Sequence, residues 1–386
     1  MKRLLILLFW FCSSIAAEPP LPIPKTERLP RPETRRREAT SQPVAPPFII
    51  GIWYPPAAGM ALWKARGVNT AIGYEHQSNQ VSLDEWSTAA INNGLFMIRQ
   101  PAARIADDVK EPHLLAWMHV DEPDLKGVEP PALAEQYAQW KKDAPKMPVF
   151  LSVSGGGVLF RKTPRIVYEQ YFESADWIAN DFYPITGWNQ PTWIPRLGEA
   201  VDLCRKISHG KPQFAFIETS SQQLAWLPKE TRGVTPDELR AEIWHAVIHG
   251  VKGIIYFPQQ FNPFQYDATP SNVSVEMAKQ NRLLTELAPI LALPANPKTR
   301  RVSVVAPLEA AWRETEDGRV YVIVLNPSDQ TLKNQSIQFK DIPDGKIAVL
   351  NSDTSSLNII SKQLTDDFDP YSPRIYAVKT SSQPSK

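Results

Sequence analysis

Between Phe48 and Leu293 the chain alternates short apolar runs with longer segments of helical periodicity. Eight runs are predicted to be strands: 48–53, 69–74, 95–99, 114–120, 149–153, 177–182, 213–217 and 253–257. Because these runs are almost continuously apolar, the strands should be buried on both faces, as in a parallel sheet covered by helices. Eight strand–helix units over roughly the 250 residues typical of this architecture predict a (β/α)8 TIM barrel, an α/β fold, at 48–293.

Two of the intervening helices carry clear start signals. Ser82 with Glu85, and Thr235 with Glu238, have the spacing of capping boxes, in which side-chain oxygens satisfy the first free amides of a helix. Pro236 suits the first turn of the second helix. In that helix the apolar side chains recur at helical spacing, at Leu239, Ile243, Ala246 and Val247.

After Pro294 the hydrophobic period changes to two, which is typical of strands with one buried face. The runs are 302–305, 319–325, 336–339, 346–350 and 374–379. Asp317-Gly318 predicts a tight hairpin turn between strands. We therefore expect a small C-terminal antiparallel β domain, sandwich-like, over 294–380, followed by a frayed tail.

The N-terminal region reads as an export signal and a linker. Residues 1–17 combine a basic start, an apolar run and small residues at Ala16 and Ala17, the pattern of a cleaved signal peptide. Residues 18–47 are rich in proline and poor in bulky apolar side chains, which predicts a disordered linker. The mature chain keeps Cys204 alone, so no internal disulfide is expected. We expect a periplasmic or extracellular protein.

Composition excludes several classes of protein. The formal net charge of +1, with 22% charged residues, argues against nucleic acid as a partner. No apolar stretch reaches the ~20 residues that an integral membrane span requires. The chain has 12 Trp, more than core packing normally needs, so some indoles could stack on flat ligand faces.

Two glutamates fall where predicted barrel strands end, which is where the working residues of such barrels lie. Glu122 follows the fourth strand in His119-Val120-Asp121-Glu122-Pro123, and Glu218 ends the seventh in Phe216-Ile217-Glu218-Thr219. Glycoside hydrolysis needs such a pair, because one carboxyl group protonates the leaving oxygen and the other attacks or stabilises the anomeric carbon.

A glutamate after strand four and another after strand seven of an exported barrel resembles clan A of the glycoside hydrolases, the 4/7 superfamily. The resemblance implies that Glu122 is the acid/base and Glu218 the nucleophile. Asp121 departs from the pattern, since the clan usually has Asn there to bind the sugar 2-hydroxyl. A second carboxylate beside Glu122 should raise the pKa of Glu122.

The resemblance also places a tyrosine near strand six that hydrogen-bonds the nucleophile, for which Tyr183 is the candidate. Arg99, closing strand three, could hold Glu218 ionised or form a structural ion pair. Glu75 and His76, after strand two, could contact sugar hydroxyls. As a group, the aromatic residues near strand ends should form stacking subsites: Trp53, Tyr54, Trp117, Trp188, Trp193, Trp226 and Phe257.

The sequence gives weaker support for a metal site or a phosphate-binding loop. His245 and His249 have a metal-ligand spacing, but Ala246 stands where a zinc protease needs glutamate, so core or surface histidines are favoured and no metal site is expected. The run 155–157 is three glycines without a phosphate-loop lysine, which favours a flexible loop. No cofactor is required, because carboxyl groups can serve as both acid/base and nucleophile.

The leading interpretation is an exported retaining glycoside hydrolase that cleaves a β-linked oligo- or polysaccharide by double displacement. One alternative is a substrate-assisted N-acetylhexosaminidase in which Asp121, beside Glu122, orients a 2-acetamido group that replaces the enzyme nucleophile. Another is a non-catalytic carbohydrate-binding protein on a degenerate barrel.

Overall fold

The computed structural model describes residues 43–76, 80–160, 164–220, 232–261, 263–294 and 302–379. The predicted signal peptide, most of the predicted linker, Trp226 and the C-terminal tail lie outside these residues. Within them, no helix is both long enough and apolar enough to cross a membrane.

Eight parallel strands close into a barrel in sequence order, with β8 hydrogen-bonded to β1. They are β1 Ile49–Trp53, β2 Thr70–Ile72, β3 Phe96–Arg99, β4 Leu114–Met118, β5 Val149–Ser154, β6 Trp177–Asp181, β7 Gln213–Glu218 and β8 Gly253–Phe257. Each lies within one residue of its predicted start. The predicted fold class, a TIM barrel followed by antiparallel β structure, is confirmed.

Helices cover the outside of the barrel. They are α1 Met60–Ala65, α2 Leu83–Asn92, α3 Ile105–Asp108, α4 Pro123–Lys126, α5 Pro130–Asp143, α6 Gly155–Phe160, α7 Arg165–Glu173, α8 Ile194–Ile207, α9 Pro236–Ile248 and α10 Ser271–Leu291. Both predicted capping boxes form, at Ser82 with Glu85 before α2 and at Thr235 with Glu238 at the start of α9.

Buried side chains form two layers around the barrel strands. Alternate residues point inward, and Ile49, Phe150 and Phe214 belong to the cluster that fills the barrel. Their neighbours, including Ile50 and Ile52, pack outward against the helices. Burial on both faces is the physical reason that the strands are apolar along their length.

The prediction of a flexible loop at 155–157 is wrong. The three glycines form the buried first turn of α6. A Cβ atom on Gly156 would lie 2.6 Å from the Trp188 ring, and one on Gly155 would lie 2.8 Å from Phe182 Cβ. Close packing against the segment that follows β6 therefore leaves no room for a side chain at these positions.

The C-terminal β structure comprises three-stranded and five-stranded antiparallel sheets, with orders β11-β14-β17 and β12-β13-β18-β15-β16, and a separate hairpin, β9-β10, follows β8. The strands are β9 Gln260–Phe261, β10 Phe264–Gln265, β11 Val302–Val304, β12 Glu309–Glu314, β13 Arg319–Leu325, β14 Leu332–Phe339, β15 Gly345–Val349, β16 Ser356–Ile359, β17 Gln363–Phe368 and β18 Pro373–Lys379. The turn at Asp317-Gly318 joins β12 to β13, with Gly318 at φ 77°.

Strands β12, β16 and β17 are absent from the sequence prediction. Their sequences, such as Gln363-Leu364-Thr365-Asp366-Asp367-Phe368, carry too few apolar residues for a period-two signal. Pairing along β14 makes β17 a strand, because the ladder satisfies its backbone groups whatever its side chains are.

Candidate active site

A cavity of about 710 Å³ opens where the first four barrel strands end. Tyr54, Glu75, Gln100 and Asp121, which follow β1, β2, β3 and β4 in turn, line it together with Trp140 of α5. These side chains meet because parallel strands place all their carboxyl ends on the same face of the barrel. A pocket of this size, lined by apolar and aromatic side chains together with several polar ones, is suited to a small organic ligand.

Backbone strain marks both sides of this region. Glu122, four residues after β4 and immediately before α4, has φ 44°, and Tyr54, directly after β1, has φ 45°. Left-handed backbone costs a non-glycine residue of the order of 1 kcal/mol or more and persists where the surrounding structure enforces it, often at functional sites. Both residues follow barrel strands, so the strained backbone lies on the face of the barrel that carries the cavity.

Glu122 is a half-buried carboxyl group that binds protons unusually tightly. Its pKa is raised to about 6: burial is the largest cause and the charges of Asp121 and Asp124 add to it, while a hydrogen bond from Asp181 and the charge of Lys126 lower it. The expected effect of Asp121 is therefore present, but desolvation is the larger cause.

The carboxyl group of Asp181, at the end of β6, is the direct partner of Glu122. Burial and the neighbouring Glu122 raise the pKa of Asp181 well above its usual value, while the Gly155 amide donates to its Oδ1 at 3.2 Å. Two carboxyl groups can hydrogen-bond each other only when one of them carries a proton. The Glu122–Asp181 pair therefore holds a proton at the barrel mouth.

Asp121 faces the cavity, with 21% of its side chain exposed and its Oδ2 3.3 Å from Lys126 Nζ. Burial raises the pKa of Asp121, and Lys126 opposes that shift. Asp124, three residues further on and within α4, accepts a hydrogen bond from the Tyr168 hydroxyl at 2.9 Å, which anchors α4 to α7.

Glu218 ends β7 with its carboxylate fully buried. Its oxygens accept hydrogen bonds from the amides of Ile185 and Thr186 and from the Thr186 hydroxyl. Burial raises the pKa of Glu218, whereas these donors and Glu242 lower it. Burial also raises the pKa of Glu242, with the Glu218 charge adding to the effect, so Glu242 is the protonated partner of this second carboxyl pair.

Arg99 does not have the predicted role of holding Glu218 ionised. Its guanidinium forms a buried bidentate pair with Asp108, with distances of 2.6 and 3.2 Å. Asp108 also accepts the Trp117 indole N–H at 2.8 Å and the Ala102 amide at 2.9 Å. The structural alternative for Arg99 is the correct one, because α3 places Asp108 beside it.

The predicted hydrogen bond from Tyr183 to the nucleophile is also absent among the described residues. The Tyr183 ring packs on Phe257, with centroids 5.1 Å apart, and is 5% exposed. The acceptor sites of Glu218 are taken by the backbone that follows Tyr183, at Ile185 and Thr186.

Two of the aromatic candidates are core residues. Trp53 is 3% exposed inside the barrel and Trp117 is fully buried, so neither presents a ring face to a ligand in this structure. Trp188 and Phe257 are half-buried, and Trp188 lies in a cluster with Phe160 and Trp193. Trp226 lies outside the described residues.

The two candidates after β2 are on the surface. Glu75 is exposed and lines the cavity. His76 is also exposed, and its Nδ1 lies 3.1 Å from the Tyr74 hydroxyl and 3.1 Å from the Val81 carbonyl. Glu75 is therefore placed to contact a ligand, while His76 is engaged with its own loop.

Sequence reasoning missed Asp181, Thr186 and Glu242 as parts of the site. Asp181 could have been found, because it stands at the carboxyl end of a predicted strand. Glu242 lies in α9 among apolar residues, and a buried carboxyl group in such a position requires a polar partner. Thr186 carries no signal, because the loop after β6 has no regular pattern.

The comparisons with known proteins agree with this architecture. A family model described as Beta-galactosidase matches residues 130–290, less than half of the chain. A comparison with curated protein sequences finds no match.

Solved structures of glycosidases share the fold. A family 39 glycoside hydrolase from Bacteroides cellulosilyticus is 12% identical, with a TM-score of 0.51 over 86% of this chain and 81% of that one. A family 27 β-L-arabinopyranosidase from Geobacillus stearothermophilus, in complex with arabinose, is 9% identical, with a TM-score of 0.51 over 86% and 97%.

AmyP in complex with maltotriose is 7% identical, with a TM-score of 0.54 over 84% of this chain and 90% of that one. At these identities the likeness shows the fold alone. The family-model match together with the closed barrel confirms the resemblance to the clan A (β/α)8 glycosidases, and the chain is a glycoside hydrolase.

Proposed function

We propose that the protein is a retaining hydrolase of β-linked oligo- or polysaccharides, with Glu122 as the acid/base. The observation that carries this proposal is the half-buried carboxyl group of Glu122, whose pKa is raised to about 6 and which follows Asp121, a residue that lines the cavity. A general acid must still be protonated near the working pH, and a carboxyl group with an ordinary pKa is not.

The reaction uses the Glu122 carboxyl group twice, first as an acid and then as a base. As the glycosidic bond breaks, Glu122 transfers its proton to the leaving oxygen, and positive charge develops on the ring. The resulting Glu122 carboxylate then accepts a proton from water, which attacks the anomeric carbon and restores the acid form. The Asp181 hydrogen bond stabilises the carboxylate between these steps.

In the double-displacement mechanism, Glu218 attacks the anomeric carbon and forms a covalent glycosyl intermediate. Its support is the position at the end of β7 and the donors from Ile185 and Thr186, which stabilise the ionised form. A carboxylate has about four acceptor sites, and Ile185, Thr186 and protonated Glu242 together supply four donors, so at least one of these bonds must open before Glu218 can attack. Access to the sugar requires the fully buried Glu218 to become open to the cavity when substrate binds.

A second mechanism is favoured by the contrast between Glu218 and Asp121. Glu218 is fully buried, whereas Asp121 is partly exposed and lines the cavity beside Glu122. In a substrate-assisted reaction Asp121 accepts a hydrogen bond from the N–H of a 2-acetamido group, whose carbonyl oxygen attacks the anomeric carbon in place of an enzyme nucleophile. This mechanism also retains configuration, so Glu122 keeps the same role.

The proposal is tested on a panel of β-glycosides with and without a 2-acetamido group. β-Galactosides head the panel, because the matched family is described as Beta-galactosidase. Proton NMR of the first-formed product should show the β-anomer. The variant Glu122→Gln should lose turnover on natural substrates, whereas the exposed control Glu129→Gln, outside the cavity, should not.

Release of the α-anomer first would overturn retention. Saccharide binding without hydrolysis across the panel would overturn the proposed activity in favour of the non-catalytic alternative. Full turnover by Glu122→Gln would show that another group is the acid/base.

We also propose that the chain is exported to the periplasm or the extracellular space. The support is the signal-like pattern of residues 1–17 and the single mature cysteine, Cys204, which is buried and unpaired. Mass spectrometry of protein from cell fractions should find a mature chain that begins after Ala16 or Ala17. An intact Met1 terminus in the cytoplasmic fraction would contradict export.

A further inference from the structure

A cluster of two histidines and a glutamate joins the barrel to the C-terminal sheets. His245 lies in the last turn of α9, His249 follows that helix, and Glu309 begins β12. Because α9 leads into the start of β8, the cluster lies on the face of the barrel opposite the cavity. It is separate from the carboxyl groups assigned to catalysis.

The geometry of the cluster suits a small divalent cation. His245 Nε2 lies 3.5 Å from Glu309 Oε1, and His249 Nε2 lies 3.3 Å from Glu309 Oε2. One ligand atom from each of the three residues can be chosen so that all lie within 4.8 Å of one another. Tetrahedral zinc with bonds of ~2.0–2.2 Å spaces its ligands by roughly 3.3–3.6 Å, which the two contacts with Glu309 already match, so only the remaining separation would need to contract.

His245 gives a second, independent indication that the cluster takes a ligand. Its side chain is 1% exposed, yet neither ring nitrogen makes a hydrogen bond of good geometry among the described residues, and Nε2 has only the 3.5 Å contact with Glu309. An imidazole buried with both nitrogens unsatisfied is costly and rare in native proteins. A cation between the three residues would take up the free Nε2 lone pair of His245.

The surroundings of His249 have the form of a second coordination shell. Its Nδ1 lies 2.9 Å from Asp202 Oδ2, which leaves Nε2 directed at Glu309. Metal-binding histidines commonly donate their other ring N–H to a carboxylate in this way, which fixes the tautomer and the ring orientation. Asp202, on α8, therefore orients the ligand without occupying the site.

Gly198 of α8 makes room for the two rings. The imidazoles of His245 and His249 are stacked, with centroids 5.3 Å apart and planes 15° apart. A Cβ atom on Gly198 would lie 2.5 Å from His249 Nε2 and 2.8 Å from His245 Nδ1. Any side chain at 198 would thus displace both histidines from Glu309.

We propose that His245, His249 and Glu309 form a binding site for a divalent transition metal, with zinc as the best match. Two imidazoles, one carboxylate and a water complete a tetrahedral set that zinc accepts. The metal would link α9 to β12 and stabilise the contact between the barrel and the C-terminal sheets. It takes no part in the glycosidase reaction.

The experiment uses untagged full-length protein stripped with a chelator and then titrated with Zn²⁺ against a chromophoric competitor. We expect one zinc per chain and a rise in the melting temperature on binding. His249→Ala and Glu309→Gln should each weaken zinc binding at least tenfold. The controls His209→Asn and Glu199→Gln, both exposed and outside the cluster, should bind like the wild type.

Cobalt(II) separates a metal site from a simple ion pair and does not depend on activity. The wild type should give the intense visible absorption of tetrahedral cobalt, and Glu309→Gln, which keeps nearly the same shape, should lose it. An absence of stoichiometric zinc binding by the wild type, or equal binding by Glu309→Gln, would overturn the proposal and leave the cluster as an ion pair.

Discussion

The carboxyl group of Asp181 is hydrogen-bonded to that of Glu122, so that one proton is held between the ends of β6 and β4. The Gly155 amide fixes Asp181 from the other side at 3.2 Å. Glu122 thus receives its hydrogen-bond partner from a residue distant in sequence, while burial is the main cause of its raised pKa. Because interacting carboxyl groups titrate together, the apparent pKa values belong to the pair.

The pH dependence of the reaction should report this proton. Glu122 must be protonated to act as an acid, and its pKa is raised to about 6. We therefore expect kcat/KM to fall as the pH rises through about 6, since the proportion of the acid form declines. A profile measured with an activated and an unactivated glycoside checks this. Constant kcat/KM on the unactivated substrate well above that pH would contradict the assignment.

Replacement of Asp181 should shift the fall in kcat/KM along the pH axis in a defined direction. The Asp181 hydrogen bond lowers the pKa of Glu122, so Asp181→Ala should shift the fall in kcat/KM to higher pH. Asp181→Asn keeps a donor and should shift it less. The pH profiles of the two variants provide the measurement. A shift of the limb to lower pH in Asp181→Ala would show that the residue acts chiefly as a negative charge.

The acid role of Glu122 predicts a dependence on the leaving group. Glu122→Ala should lose most activity on alkyl glycosides but far less on aryl glycosides with an acidic phenol, which departs without protonation. Added azide should restore the second step and give a glycosyl azide of retained configuration. Steady-state kinetics with product analysis measures both effects. Equal losses on both substrate types, without an azide product, would remove Glu122 from this role.

A covalent trap separates the two mechanisms without a variant. In double displacement, a 2-deoxy-2-fluoro glycoside with a good leaving group should label the peptide that contains Glu218, as seen by mass spectrometry. In the substrate-assisted reaction no label should form, and a thiazoline analogue of the 2-acetamido oxazoline should inhibit. Under that mechanism Asp121→Asn should slow 2-acetamido glycosides strongly. Labelling of another carboxylate would place the nucleophile elsewhere.

Gly156 should be intolerant of even a methyl group. A Cβ there would lie 2.6 Å from the Trp188 ring, so Gly156→Ala should lower the free energy of unfolding by about 1–3 kcal/mol. The matched control is Gly59→Ala, where the nearest atom would be 3.5 Å away, with an expected change within about 0.5 kcal/mol. Chemical denaturation measures both. Equal stability of the two variants would show that the Trp188 loop can move.

The order of strands and helices in the barrel could be predicted from the sequence because the signals for each element are local. Strands buried on both faces must be apolar, and the boxes at Ser82 and Thr235 satisfy helix amides within a few residues. The predicted ends of the fourth and seventh strands likewise located Glu122 and Glu218 on one face of the barrel. Weakly patterned strands such as β17 escaped prediction, because their pairing partners decide their conformation.

Only the tertiary structure decided what surrounds each of these side chains. Arg99 ends a barrel strand, but its partner is Asp108 of α3 and not Glu218. Glu218 is hydrogen-bonded by Ile185 and Thr186 instead. The pKa of Glu122 depends on burial and on Asp181, which lies 59 positions along the chain. Hydrophobic periodicity reports burial along one element, whereas hydrogen bonds and desolvation depend on atoms that different elements bring together.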